Sequence, residues 1–102
     1  MTNETGVPWP IELRLKKSDR ILEVDFDNGR AVRLTAERLR VDSPSAEVQG
    51  HHPSQKKVVT GKQNVAIVDM ERVGNYAVRL IFDDGHDTGL YTWAYLYDLG
   101  AD

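Results

Sequence analysis

The run from Tyr76 to Gly100, YAVRLIFDDGHDTGLYTWAYLYDLG, decides the fold. Val78, Leu80 and Phe82 alternate with other residues, which is the period of a strand with one buried face. Asp83-Asp84-Gly85 follows as a tight hairpin turn, because glycine accepts the positive φ that such turns need. Thr88 to Tyr91 returns as a second strand. Thr92 then has a side-chain oxygen to cap a helix. Trp93, Leu96 and Tyr97 recur at helical spacing behind it, and Gly100 is a helix stop. The run holds six of the chain's eight aromatic residues, so most of the core is expected around it.

Working upstream, the same grammar recurs. Phe26-Asp27-Asn28-Gly29 matches Phe82-Asp83-Asp84-Gly85, and Leu34 follows the first glycine at the distance that Leu90 follows the second. Thr35 matches Thr92 as a cap, and Leu39 matches Leu96 as a helix anchor. Ahead of the first turn, Ile11, Leu13 and Leu15 alternate with Glu12, Arg14 and Lys16, predicting a half-buried strand with all three apolar residues inward. Lys17-Ser18-Asp19 is a turn, Leu22, Val24 and Phe26 share a strand face, and Val32 and Leu34 face in from a third strand. Ahead of the second turn, Val65, Ile67 and Asp69 point one way and Ala66, Val68 and Met70 the other, as in a more buried strand. Val73-Gly74-Asn75 turns the chain into Tyr76. The expectation is an α+β domain: antiparallel strands in two similar β-β-β-α halves, with two short helices. Neither half carries enough apolar surface to stand alone, so the two should pack on each other.

Between the halves the pattern fails. Ser43-Pro44 ends the first helix, because a proline disfavours helical geometry before it. Gly50-His51-His52-Pro53-Ser54-Gln55 has loop composition, with a brief strand expected at Lys57-Val58-Val59. Residues 1–8 read as a loose arm, leaving residues 9–100 as a single domain.

Composition narrows the function classes. The chain has 102 residues, no cysteine, a net charge of −3 and 28% charged residues. The absence of cysteine removes disulfides, thiolate metal sites and cysteine nucleophiles. The lysines and arginines are dispersed among acids, unlike the basic field of a nucleic-acid binder. No secretory signal and no run of about 18 apolar residues occurs. These features predict a soluble cytoplasmic protein with no nucleic-acid or membrane partner. No P-loop or dinucleotide fingerprint is present.

Four constellations could carry chemistry. Asp83-Asp84-Gly85-His86-Asp87 gathers carboxylates and an imidazole, the groups of a divalent-metal or acid–base site, although a solvated hairpin turn accounts for the same residues. His51-His52 could join His86 if the loop folds back, but neighbours in a strand point to opposite faces. Ser43-Pro44-Ser45-Ala46-Glu47 offers two serines with no G-x-S-x-G elbow, and capping and turn chemistry explain both. Finally, Tyr76, Tyr91, Trp93, Tyr95 and Tyr97 are too many for one helix face and strand. Tyr95 and Tyr97 cannot both face inward with Trp93, so an exposed aromatic is expected as a partner contact.

From about Trp9 to Gly100 the chain resembles the gamma-butyrobetaine-hydroxylase-like N-terminal domain, the DUF971 family of unknown function. The resemblance is carried by Leu39-Arg40-Val41-Asp42-Ser43-Pro44-Ser45-Ala46-Glu47, Gly61-Lys62, Val73-Gly74-Asn75-Tyr76-Ala77 and, above all, Phe82-Asp83-Asp84-Gly85-His86-Asp87-Thr88-Gly89-Leu90-Tyr91-Thr92-Trp93. Related domains precede an iron- and 2-oxoglutarate-dependent oxygenase domain and bind a structural zinc through three cysteines and a histidine. The resemblance places those ligands at Ser43, Ser45, Val48 and His86. Only the histidine is kept, so structural zinc is not expected. With no oxygenase domain in this sequence, hydroxylase activity does not carry over. Similar domains are fused to scaffold-type ATPases of iron–sulfur cluster assembly, which implies an accessory role near iron or cluster biogenesis.

The leading expectation is therefore a non-catalytic interaction module whose partner is an iron–sulfur assembly ATPase or an iron protein. Its contact face would carry Ser43, Ser45, Glu47, His86, Tyr95 and Tyr97. The alternative is a weak divalent-metal site using His86 with Asp84, Asp87 or a loop histidine. A small acid–base enzyme built on the Asp83–Asp87 turn comes last.

Overall fold

The computed structural model describes residues 8–44 and 61–101. In chain order these form strands β1 (Pro10–Lys16), β2 (Ile21–Phe26) and β3 (Ala31–Thr35), then helix α1 (Ala36–Val41). Strands β4 (Ile67–Val73), β5 (Ala77–Phe82) and β6 (Leu90–Thr92) follow, then helix α2 (Trp93–Leu99). Each half is an antiparallel three-stranded sheet, ordered β1-β2-β3 and β4-β5-β6, closed by its helix. This is the α+β arrangement the repeated grammar predicts. The segments Ser45–Glu47, Val48, His51-His52 and Lys57–Val59 lie outside the described residues.

The two halves match to the level of single hydrogen bonds. In the first turn Phe26 N–H donates to the Arg30 carbonyl (2.8 Å) and Gly29 N–H to the Phe26 carbonyl (3.1 Å). In the second, Phe82 N–H donates to the His86 carbonyl (2.9 Å) and Gly85 N–H to the Phe82 carbonyl (3.1 Å). Asn28 Oδ1 accepts from Arg30 N–H and Asp84 Oδ1 from His86 N–H, each at 3.0 Å. These side-chain bonds lock the turn, while glycine takes the left-handed backbone at φ +87° and +92°. Thr35 caps α1 through the Arg38 N–H, and Thr92 caps α2 through the Tyr95 N–H.

The halves also hold each other reciprocally, as an isologous interface does. From α2, Tyr97 OH accepts from Asn28 Nδ2 (3.1 Å), and the Gly100 carbonyl just beyond accepts from Arg30 Nη2 (3.1 Å). From α1, Arg40 Nε donates to Asp84 Oδ2 (2.8 Å), and Ser43 Oγ lies 2.8 Å from His86 Nε2. Each helix end thus grips the turn of the other half. One apolar cluster fills the space between, including Leu22, Val24, Phe26, Leu39, Ile67, Leu80, Phe82, Tyr91 and Leu96, each no more than 2% exposed. Burial of such side chains contributes roughly 1.5–3 kcal/mol each.

Three expectations are corrected. Ile11 does not face in: the register slips between Pro10 and Glu12, and Ile11 stands 71% exposed on the bulge while Leu13 and Leu15 pack on the core. The same slip between Ile67 and Asp69 inverts the alternation in β4. Ile67 and Met70 therefore share the inner face with Phe82 and Leu80, and Val68 is exposed. A bulge puts two residues opposite one and so reverses the parity beyond it. Among the described residues strand β4 is also an edge strand, with mostly exposed residues, not a buried one.

Gly100 ends α2 for a different reason from the one its residue type suggests. Its φ is −76°, an ordinary right-handed value. A Cβ there would meet Val32 side-chain carbons at 2.4 and 2.5 Å, so close approach of α2 to β3 requires glycine. Among the described residues no helix is long and apolar enough to cross a membrane.

Candidate functional site

The turn between β5 and β6 carries most of the ionisable groups singled out above. Asp84 leads the cluster. Its Oδ2 accepts from both Arg40 Nε (2.8 Å) and Lys62 Nζ (2.7 Å), while Oδ1 is held by the His86 N–H. Burial pushes the Asp84 carboxyl up. The Lys62 ammonium, the His86 N–H and the Arg40 guanidinium outweigh that and hold it far below the usual carboxylate range. Arg40 is well covered, at 13% side-chain exposure, and its Nη1 is buried without a hydrogen-bond partner among the described residues.

His86 is 5% exposed and Ser43 is fully buried. The imidazole Nε2 and the serine Oγ meet at 2.8 Å, and the ring is tilted against Phe82 with centroids 5.9 Å apart. Gly89 makes room for this contact, since a Cβ on it would lie 2.5 Å from Ser43 Oγ. Beside them, the Tyr91 hydroxyl donates to the Leu39 carbonyl and the Tyr95 hydroxyl to the Asp42 carbonyl. Those carbonyls lie in and just beyond the last turn of α1, where the helix leaves acceptors without intrahelical donors. Burial pushes both phenols up.

The placement of the candidate residues is therefore specific. Ser43, His86 and Tyr95 come together at the C-terminal end of α1. Tyr97 sits elsewhere, edge-on to Phe26 at 5.1 Å and under the Arg30 guanidinium, 4.8 Å from its ring centre. The Arg30 and Asn28 bonds lower the Tyr97 phenol from its ordinary range. Neither Tyr95 nor Tyr97 stands out in solvent. Both are half-buried against the core with their hydroxyls bonded, because the aromatic bodies flank Trp93 and Leu96 and not one stripe has to hold them all. The exposed aromatic is Tyr76, at 53%. Ser45 and Glu47 lie outside the described residues.

Asp84, His86 and Asp87 do not converge. Asp84 faces two cations, His86 Nε2 faces Ser43, and Asp87 lies 3.3 Å from Arg79. Among the described residues no three His, Asp or Glu side chains form a metal-holding group. Ser43 and His86, the described pair from the zinc-ligand positions, are adjacent, but they supply a hydroxyl and an imidazole directed at each other. Two such donors do not fit a structural zinc, which takes four.

Arg40, Lys62 and Gly89 complete the cluster, and their side-chain chemistry alone does not single them out in the sequence. The signal was present: all three lie in the stretches that carry the family resemblance. Their roles need the fold, because Arg40 and Lys62 approach Asp84 from distant parts of the chain.

Comparison with known proteins places the chain. No curated protein matches it. A crystal structure from Acidithiobacillus ferrooxidans ATCC 23270, of a protein with unknown function in the DUF971 family, is 44% identical. The match covers 91% of this chain and 93% of that one, with a TM-score of 0.77. Two further proteins solved in solution by NMR are similar. One is 53% identical over 99% of this chain and 75% of its own, with a TM-score of 0.79. The other is 46% identical over 94% and 75%, with a TM-score of 0.78. The family model described as gamma-butyrobetaine hydroxylase-like, N-terminal, matches residues 13–97. The chain belongs to this family, the DUF971 domains of unknown function.

Proposed function

We propose that this domain is a non-catalytic interaction module serving iron–sulfur cluster or iron-protein maturation. Its partner contact lies on the surface over the end of α1, at the half-buried Tyr95 and the residues beside it, with Ser43 and His86 buried beneath. The observation that carries the non-catalytic part is the internal use of the turn's polar groups. Both Asp84 oxygens are bonded within the domain, and His86 is spent on a serine with no exposed surface. The matching grip of α2 on the first turn gives these groups a structural task, since that turn holds its half in the same way with different residues. The iron–sulfur connection is supported by the family resemblance and by the fusion of similar domains to assembly ATPases.

The test is an amide NMR titration of the full chain with a scaffold-type ATPase of cluster assembly. Saturable shifts at Asp42, Ser43, His86 and Tyr95, lost in Tyr95→Ala, are the expected result. Absence of saturable shifts, or equal binding by Tyr95→Ala, would overturn the reading.

A weak divalent-metal contact at His86 is the second reading. It is favoured by the adjacency of Ser43 and His86, which stand at two of the family's ligand positions. Zinc or ferrous iron at stoichiometric concentration should then shift the His86 ring resonances, and an unchanged spectrum would remove it.

A further inference from the structure

We infer that the cleft between β1 and β4 receives an extended segment of a partner protein, one carrying an aliphatic residue and an acidic residue two positions apart. This surface shares no residue with the His86 cluster, and the inference does not depend on the iron–sulfur reading.

Three observations carry it. First, among the described residues β1 and β4 are the outer strands of their sheets, each paired on one side only. An unpaired strand edge offers backbone donors and acceptors to a further strand. In antiparallel pairing alternate residues turn these groups away from the partner strand, so both edges present them apart from the Met70 N–H, which donates to Asp69 Oδ1 at 2.8 Å. Second, the two edges border a cleft of about 280 Å³ lined by Leu13, Met70, Val78 and Trp93, with Ile11 beside it at 71% exposure. Leu13 and Met70 hold matching positions in the two halves, each following its strand's bulge on the inward face. The bulges remove Ile11 and Val68 from the core, which leaves them as exposed apolar side chains on strands whose other exposed positions, Glu12 and Lys16 on β1 and Asp69, Glu71 and Arg72 on β4, are charged.

Third, the charge at the rim is unbalanced. Glu12 on the β1 side is already paired with Arg14 at 3.0 Å. Arg72 on the β4 side reaches the Gly74 carbonyl (3.3 Å) and meets no carboxylate among the described residues. The unanswered cation calls for an acidic group from the occupant. Residues two apart on an extended chain share a face. An aliphatic side chain can thus enter over Met70 and Val78 while the acid two positions on reaches Arg72. Backbone pairing supplies affinity in this mode, and the side-chain pair supplies selection.

The probe is the capped peptide Ser-Ile-Thr-Glu-Thr-Ser, titrated into the full chain and followed by amide and methyl NMR. Saturable shifts should be confined to Ile11, Leu13, Met70, Arg72 and the Trp93 indole. The same peptide with Lys in place of Glu, and the Arg72→Glu variant with the original peptide, should each bind about tenfold more weakly. Arg72 is exposed, so the variant should keep the wild-type spectrum outside the cleft. No saturable shift up to millimolar peptide, shifts centred elsewhere, or affinity indifferent to Arg72→Glu would each overturn the inference. Concentration-dependent shifts of the cleft residues without peptide would also overturn it, assigning the surface to a second copy of the chain. None of these outcomes bears on binding at the His86 face.

Discussion

Asp84→Asn removes one charge and leaves the turn intact. Asn28 fills the matching position in the first turn and makes the same Oδ1 bond to the N–H two residues on. What the substitution removes is the anion shared by Arg40 and Lys62. Breaking an exposed ion pair costs about 0–1 kcal/mol, and orphaning a fully buried charge costs about 3–5 kcal/mol. Asp84 is 20% exposed, Arg40 13% and Lys62 25%, between these limits and nearer the buried one. Lys62 can turn toward water on its flexible stem, whereas Arg40 is enclosed, so about 2 kcal/mol is expected. For a domain of this size that lowers the melting temperature by about 8–16 °C. Thermal and urea unfolding followed by circular dichroism would measure it. Adding Arg40→Met to Asp84→Asn should recover part of the loss, because no guanidinium is then left without its counterion. The pH dependence gives a further check. The folded Asp84 carboxyl titrates below its unfolded value of about 3.9, so its contribution is present above that value and disappears as pH falls below it. The acid-induced loss of stability should shrink in Asp84→Asn. A melting temperature within about 2 °C of wild type, with an unchanged acid limb, would refute the reasoning.

Gly100→Ala should destabilise by about 1–3 kcal/mol through overpacking against Val32, and Val32→Ala should relieve it in the double variant; independent, additive losses in urea unfolding would contradict the close-approach argument. Gly29→Ala tests the opposite case, with open space but φ +87°, and should cost about 1 kcal/mol from the backbone alone. Tyr91 resists ionisation because it is buried, so its stabilising contribution is complete below the ordinary tyrosine pKa of about 10 and is lost as pH rises through the higher folded value. Tyr91→Phe should therefore weaken the domain by about 1 kcal/mol at neutral pH through the lost bond to Leu39 and flatten the alkaline limb of a stability–pH curve. Ile11→Thr should stay within about 0.5 kcal/mol of wild type, while Phe82→Ala should cost about 3–5 kcal/mol; equal effects in thermal unfolding would show that Ile11 faces the core after all.

Much of this protein is legible in its sequence. The two turns, the caps at Thr35 and Thr92 and the inward faces of β2, β3 and β5 are local consequences of residue type: glycine accepts positive φ, threonine reaches the third N–H of a helix, and alternation sorts one strand face from the other. The repeated grammar of Phe26–Gly29 and Phe82–Gly85 likewise predicted two similar halves. Tertiary structure decided the rest. The slips at Ile11 and Val68 depend on how β1 and β4 register against β2 and β5, which no single strand records. Whether Tyr95 and Tyr97 are open or covered depended on Asp42 and Asn28 arriving from the other half. Gly100 is needed for the nearness of Val32, not for its own φ. The cluster on Asp84 forms because α1 delivers Arg40 and the segment before β4 delivers Lys62 to one oxygen. Local preferences act within a few residues along the chain, whereas desolvation, close approach and charge pairing act through space, and only the packed halves bring those partners within reach.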